Sequence, residues 1–449
     1  MKNKKIIILI VVFGIAFRLY CAQSQPLWLD EIYSLYFANS FSVSTLILHP
    51  PELHPGGYFL FLKSLLSFST NLLFLRTLTS ILPVIVASYL LYRQTHNKLL
   101  LSVLLLNPFF IHLSWQLRMY GLTFLFSIIL ILPFLNSPKT FHYKRLLIIG
   151  LISSLFTYSL IIPIFCLYLY QYSQEKKLFK LLPFFFIPLT FFLTKGFSTY
   201  KTYVESASWI PSPTLSNIPS TLLTTFSLNT DINNQSSASF FTSFLFYLFF
   251  IPLLYFLSKK SKLFLYSFVL PLLITIIISL LFPLFSQRFF FYHFIPKISL
   301  FIPRFLLPLS IYFYIFIFSL LTIKKQPLLL LLLLIIWIIP NYKLNIKNFY
   351  IDANPISTTT QSLVMPPWEN LRLNTNFSRS DLNIIAKNFD TATSIENSLL
   401  NNPKKPDCSL LAPYQKIIYI TDPSIKTISK YHQNIQQIIK SCTTKPLSN

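Results

Sequence analysis

Ahead of residue 341 the chain carries only six carboxylates, Asp30, Glu31, Glu52, Glu175, Glu205 and Asp231, and three of them fall between residues 23 and 71. Asp30 and Glu31 are adjacent within the aromatic string QPLWLDEIYSLYF. Trp28 in that string suits the headgroup level of a bilayer, which would hold both acids at a membrane surface. A carboxylate near low dielectric binds its proton more tightly than one in water, so Asp30 and Glu31 are expected to have raised pKa values and to suit proton transfer. The plain alternative is a loop that happens to be acidic. Further on, PELHPGGYFLFLK sets Glu52 and His54 two residues apart. In an extended segment such side chains share a face, where they could ligate a divalent metal or form an ordinary hydrogen-bonded pair. Three arginines stand inside otherwise apolar runs: Arg76 in LRTLTS, Arg118 in WQLRMYGL and Arg304 in FIPRFLLP. Their planar forks fit a phosphate. Each taken alone reads as a side chain snorkelling to the headgroups; three on one leaflet beside three acids favour a site.

The elements that must position these groups follow from composition. The 449 residues are 53% hydrophobic and 11% charged, about half the usual charged fraction, so a soluble surface cannot be made. Apolar runs of about twenty residues recur between Ile6 and Pro340, each long enough for a hydrocarbon core of about 30 Å. Six glycines, scattered prolines and the lack of sustained alternation exclude collagen-like, disordered and barrel readings. The net charge of +24 would suggest nucleic acid in a soluble chain. Here sixteen of the basic residues lie in clusters between the apolar runs: Lys2, Lys4 and Lys5; Arg93 and Lys98; Lys139, Lys144 and Arg145; Lys176, Lys177 and Lys180; Lys259, Lys260 and Lys262; Lys324 and Lys325. The positive-inside rule puts each cluster in the cytoplasm, and no nucleic-acid partner is expected.

The expected fold is therefore all-α and polytopic, with about eleven spans in residues 1–341: 6–22, 72–92, 99–113, 119–135, a re-entrant pair within 146–170 turning near Tyr158, 181–197, 240–257, 263–284, 303–323 and 327–341. The first run is kept as an anchor, since no small-x-small cleavage site follows it. The N-terminus is then cytoplasmic and the C-terminus external. Residues 23–71 and 198–239 are external, and 342–449 form a small external α/β domain, with KIIYIT as an alternating segment. Cys408 and Cys442 in that domain could pair in an oxidising compartment or remain free.

Five strings in order, WLDEIYS, ELHPGGY, LRTLTS, SWQLRMYGL and IPRFLLPL, resemble the GT-C glycosyltransferases, in the branch of protein O-mannosyltransferases and the lipid A aminoarabinose transferase. The resemblance covers roughly residues 1–325, including the twenty-two residues from His54 to Arg76. It implies that Asp30 is the catalytic base with Glu31 beside it. It also implies that His54, Tyr58, Arg76, Arg118, Tyr120 and Arg304 contact substrate, Arg76 through the lipid phosphate, and that Glu52 and His54 hold a divalent metal in some members. Two features depart from the pattern. Gly56 and Gly57 follow Pro55 where the family has a second proline and a bulky apolar residue, which is read as loosening the loop, and Phe305 follows Arg304 in place of tyrosine.

The function so implied is transfer of a sugar from a polyprenyl-phosphate donor to an acceptor hydroxyl on lipid, glycan or protein, with inversion, at the external face of a bacterial plasma membrane. A transporter or flippase of lipid-linked sugars is the alternative. It would place charges through the membrane midplane, whereas the spans read as almost charge-free.

Overall fold

The structure is a computed structural model describing residues 2–25, 27, 29–48, 54–136, 143–175, 214–215, 217–227, 240–288, 303–320, 362–365 and 416–419. Within these residues the chain is nearly all helical. Three helical stretches, Leu72–Thr95, Ser243–Lys260 and Lys262–Leu280, are long and apolar enough to cross a bilayer, which marks a membrane protein. Shorter apolar helices accompany them. The expected spans at 181–197 and 327–341, Glu52, Trp28 and the Cys408–Cys442 pair lie outside the described residues.

The first helix, α1 (Lys2–Ser24), is followed by three helices in the segment expected to be an external loop: α2 (Leu29–Ser40), α3 (Val43–Leu48) and α4 (Gly56–Phe68). Asp30 and Glu31 occupy the first turn of α2, where exposed N–H groups and the helix dipole favour anions. At the other end of α2, Lys63 Nζ on α4 donates to the carbonyls of Ala38, Asn39 and Phe41 at 3.0, 3.4 and 3.0 Å. Each end of α2 thus meets the charge its dipole prefers. Gly56 and Gly57 let α4 approach its neighbours: an added Cβ on Gly56 would lie 1.8 Å from the Leu46 carbonyl oxygen, and one on Gly57 2.4 Å from that of Leu155. These glycines make tight contacts, so the expectation of a looser loop was wrong.

The next span runs through α5 (Leu72–Arg76), a π turn (Thr77–Ile81) and α6 (Leu82–Thr95). Asn71 caps its start, accepting from Phe74 N at 2.9 Å. The stretch expected as one span over 99–113 is two helices, α7 (Lys98–Leu106) and α8 (Pro108–Ser114). Pro108 is the reason, because it has no N–H for the carbonyl of Leu104 four residues back. Asn107 turns the chain by accepting from Phe109 N and Phe110 N. The carbonyls left at the end of α7 are met by Arg18 of α1, which donates to Leu104 O at 3.3 Å, Leu105 O at 2.7 Å, Gly14 O at 2.9 Å and Ser114 Oγ at 2.6 Å. Arg18 is fully buried, so the run expected as the first span, 6–22, holds a buried charge where the spans were expected to be almost charge-free. Its charge faces a helix C-terminus, where a cation is favoured.

Bends at Trp115–Leu117 lead through Arg118 to α9 (Tyr120–Asn136), which packs on α6 and on α10 (Tyr143–Phe156). The chain breaks again in a short 3₁₀ turn at Tyr158–Leu160 before α11 (Ile161–Glu175), at the position where a turn was expected. Then follow α12 (Asn217–Ser227), α13 (Phe240–Lys260), α14 (Lys262–Phe264), a second π turn (Leu265–Val269) and α15 (Leu270–Arg288). A 3₁₀ turn at Pro303–Leu306 opens α16 (Leu307–Leu320), which packs on α9. One continuous apolar core joins these helices, rich in aromatic contacts such as Phe226 stacked on Phe313 at 4.4 Å. In the tail, β1 (Ser362–Met365) pairs in parallel with β2 (Lys416–Tyr419), the start of KIIYIT.

Candidate functional site

Five segments bring titratable side chains together: the first turn of α2, the end of α5, the bend before α9, the residues before α4 and the 3₁₀ turn that opens α16. Glu31 and Arg76 make the inner pair. Arg76 Nε and Nη2 donate to Glu31 Oε1 and Oε2 at 2.8 and 2.6 Å, both side chains being wholly buried. The remaining guanidinium nitrogen donates to Ala22 O and Gln25 O at 2.6 and 2.7 Å, at the end of α1. The Trp115 ring lies 4.9 Å from the guanidinium carbon. Glu31 Oε1 also accepts from Leu117 N at 2.6 Å. One acid thereby joins α2, α5 and the bend.

This arrangement differs from the expectation for Arg76 and Glu31. Arg76 turns inward to a carboxylate and two carbonyls. Glu31 is fully buried against it.

Asp30, by contrast, is 22% exposed. Arg304 Nη1 donates to its Oδ2 at 2.5 Å, and Arg118 Nη2 stands 3.9 Å from the same oxygen. Burial pushes the Asp30 carboxyl up, but the charges of Arg304 and Arg118 and the Arg304 hydrogen bond outweigh it, so its pKa lies below the ordinary carboxylate value. The expected upward shift is reversed because two guanidinium groups, invisible in the local sequence, arrive from residues 88 and 274 positions away.

Arg118 is fixed from the other side. Its Nη1 donates to Asp30 O at 3.0 Å and to Ser34 Oγ at 2.9 Å, and Ser34 Oγ donates to Asp30 O at 2.9 Å. Ser34 lies inside the WLDEIYS string but carried no expected role; its i, i+4 relation to Asp30 was the available signal. The bend that carries Arg118 is held by the π turn, where Ser80 Oγ donates to Gln116 O and reaches Arg118 O at 3.3 Å. Gly121 permits this contact, since a Cβ there would lie 2.4 Å from Ser80 Cα and O.

His54 stands at the edge of the same group, its ring 6.2 Å from that of Phe305. Burial, then the charges of Arg118 and Arg304, hold its pKa well below the ordinary histidine value, so the imidazole is neutral at pH 7. Tyr58 and Tyr120 are both buried; Tyr58 adjoins Thr79, and Tyr120 adjoins Arg304. Burial pushes the Tyr58 phenol up, which keeps it protonated.

Among the described residues no group of three His, Cys, Asp or Glu side chains converges to hold a metal ion. His54 lies in the field of two guanidinium groups, which opposes a further cation. Glu52, the other expected ligand, lies outside the described residues. Compared with protein-family models, curated proteins and solved structures, the chain matches none.

Proposed function

We propose that the chain is an inverting glycosyltransferase that moves a sugar from a polyprenyl-phosphate donor to an acceptor hydroxyl at the external face of the plasma membrane, with Asp30 as the base. The observation that carries this reading is one partly exposed carboxylate, Asp30, set against two guanidinium groups, Arg118 and Arg304. Among the described residues, Arg76, Arg118 and Arg304 stand against Asp30 and Glu31, three cations to two anions, leaving one positive charge. A phosphodiester-linked sugar brings one negative charge to balance it, and a second develops on the phosphate as the glycosidic bond breaks.

In this reading the acceptor oxygen attacks the anomeric carbon, the bond from that carbon to the phosphate oxygen breaks, and Asp30 takes the hydroxyl proton. Arg118 and Arg304 stabilise the departing phosphate, a type of contact whose removal costs about 2.7 to 4 kcal/mol of transition-state stabilisation. Asp30 is ionised at pH 7 and ready to accept a proton; its basicity rises when the phosphate draws Arg304 away. Arg76 and Glu31 support this chemistry as the inner pair that fixes α2, and His54, Tyr58 and Tyr120 line the sugar side. A donor whose lipid tail must stay in hydrocarbon gives a physical reason for building the site on spanning helices. The proposal extends to about eleven spans, a bacterial plasma membrane, a cytoplasmic N-terminus and an external tail whose parallel strand pair belongs to an α/β unit.

The test uses the full chain in lipid nanodiscs with a panel of polyprenyl-phosphate sugars. Sugar release is expected from the wild type and its loss from Asp30→Asn and Arg304→Ala. Full activity in Asp30→Asn, or movement of the lipid between leaflets without turnover, would overturn the reading.

A further inference from the structure

Arg118 stands farther from Asp30 than Arg304 does, at 3.9 against 2.5 Å, and at that separation its contribution depends on where the guanidinium is pinned. The pin is a closed set of contacts on α2. Arg118 Nη1 is shared between Asp30 O and Ser34 Oγ, and the Ser34 hydroxyl hydrogen points back to the same Asp30 carbonyl. Ser34 is wholly buried, and its hydroxyl accepts from the arginine while donating to the backbone of the acid that the arginine faces. The helix fixes this geometry, because Ser34 is one turn beyond Asp30 and its Oγ reaches the i−4 carbonyl.

We infer that Ser34 is a positioning residue: its hydroxyl holds the Arg118 guanidinium against Asp30 and so sets how strongly that carboxylate binds a proton. The charged and titratable groups around Asp30 come from five other elements and from α2 itself. They are Arg304 from the 3₁₀ turn, with Tyr120 of α9 beside it, Arg118 from the bend, His54 from the segment before α4, and the Glu31–Arg76 pair behind. Without the hydroxyl, Arg118 Nη1 loses one of the two acceptors that hold it on α2, and the guanidinium is fixed less firmly against the carboxylate. Its charge then falls more weakly on the carboxylate, which takes up a proton at higher pH. The proposal deepens the reading of Asp30 as a base, but its test does not depend on sugar transfer.

The probe is dicyclohexylcarbodiimide, which modifies protonated carboxyl groups, applied to the full chain in nanodiscs across a pH series with Asp30 modification read by mass spectrometry. Ser34→Ala, and Ser34→Cys as a variant of similar shape, are expected to move the midpoint of Asp30 modification up by about one pH unit, the lower end of what a cation within 4–6 Å contributes. Ser34→Thr, which keeps the hydroxyl, is expected to stay near the wild type. In an Arg118→Gln background Ser34→Ala is expected to add nothing, since the serine acts through the arginine. Wild-type midpoints in both Ser34→Ala and Ser34→Cys, or a full additional shift in the Arg118→Gln background, would overturn the inference. Absence of sugar release from the wild type on every donor, with the midpoint shift present, would overturn the glycosyltransferase reading and leave this one standing.

Discussion

Replacing Arg76 separates two roles that the sequence could not tell apart. In the structure Arg76→Ala removes two donors from Glu31, at 2.8 and 2.6 Å, and two from the carbonyls of Ala22 and Gln25. Glu31 keeps the Leu117 N–H at 2.6 Å but loses the guanidinium that pairs with it in a fully buried setting. Leaving one charge of such a pair uncompensated costs about 3 to 5 kcal/mol, whereas replacing both members by apolar groups of similar volume is often close to neutral. Arg76→Ala should therefore lose about 3 to 5 kcal/mol of stability, and the double variant Glu31→Leu with Arg76→Met should recover most of it. The assay is SDS titration of the purified protein in mixed micelles, followed by circular dichroism, with the two single variants and the double completing a cycle. If Arg76→Ala unfolds with the wild type, within about 0.5 kcal/mol, while sugar transfer is abolished, then Arg76 is a ligand contact and the inner-pair argument fails.

Two further outcomes are expected. Asp30 and His54 both bind protons more weakly in the folded chain than in the unfolded one, so each contributes stability that is present above its unfolded pKa and lost as pH falls toward its folded value. Stability should be flat above about pH 7, fall first below about pH 6.5 as histidine protonates in the unfolded chain, and fall again below about pH 4 through Asp30; His54→Gln should make the first fall smaller in a pH series of thermal unfolding. The glycine contacts give the other outcome: Gly56→Ala and Gly121→Ala each drive a Cβ to within 1.8 or 2.4 Å of backbone. Each should lower stability by about 1 to 3 kcal/mol in the same SDS titration, and Gly121→Ala should also shift the Asp30 modification midpoint, because Ser80 holds the bend that carries Arg118.

Helical, membrane-type architecture was legible in the sequence because it follows from quantities that add along the chain. Apolar runs long enough for a bilayer and so small a charged fraction leave few other ways to satisfy a backbone in hydrocarbon. The participants in the charged cluster were legible for a related reason: Asp30, Arg118 and Arg304 are costly residues in apolar surroundings, and costly residues stand out. Pro108 was visible too, and its missing N–H could have predicted the break in the span over 99–113.

Pairing was decided only by the tertiary structure. Nothing near position 30 shows that Asp30 will meet Arg118 and Arg304 while its neighbour Glu31 meets Arg76. Successive residues on a helix point about 100° apart, so two adjacent acids enter different surroundings, one buried and saturated, the other partly exposed and polarised. The direction of the Asp30 pKa shift, the tight seats of Gly56 and Gly121, the burial of Arg18 at the end of α7 and the hydroxyl of Ser34 between Arg118 and Asp30 all depend on contacts between segments separated by up to 274 residues or on a single helical turn's orientation. Composition and run length are sums over single residues and survive without coordinates; an electrostatic environment falls off over a few ångströms and exists only once distant segments have packed.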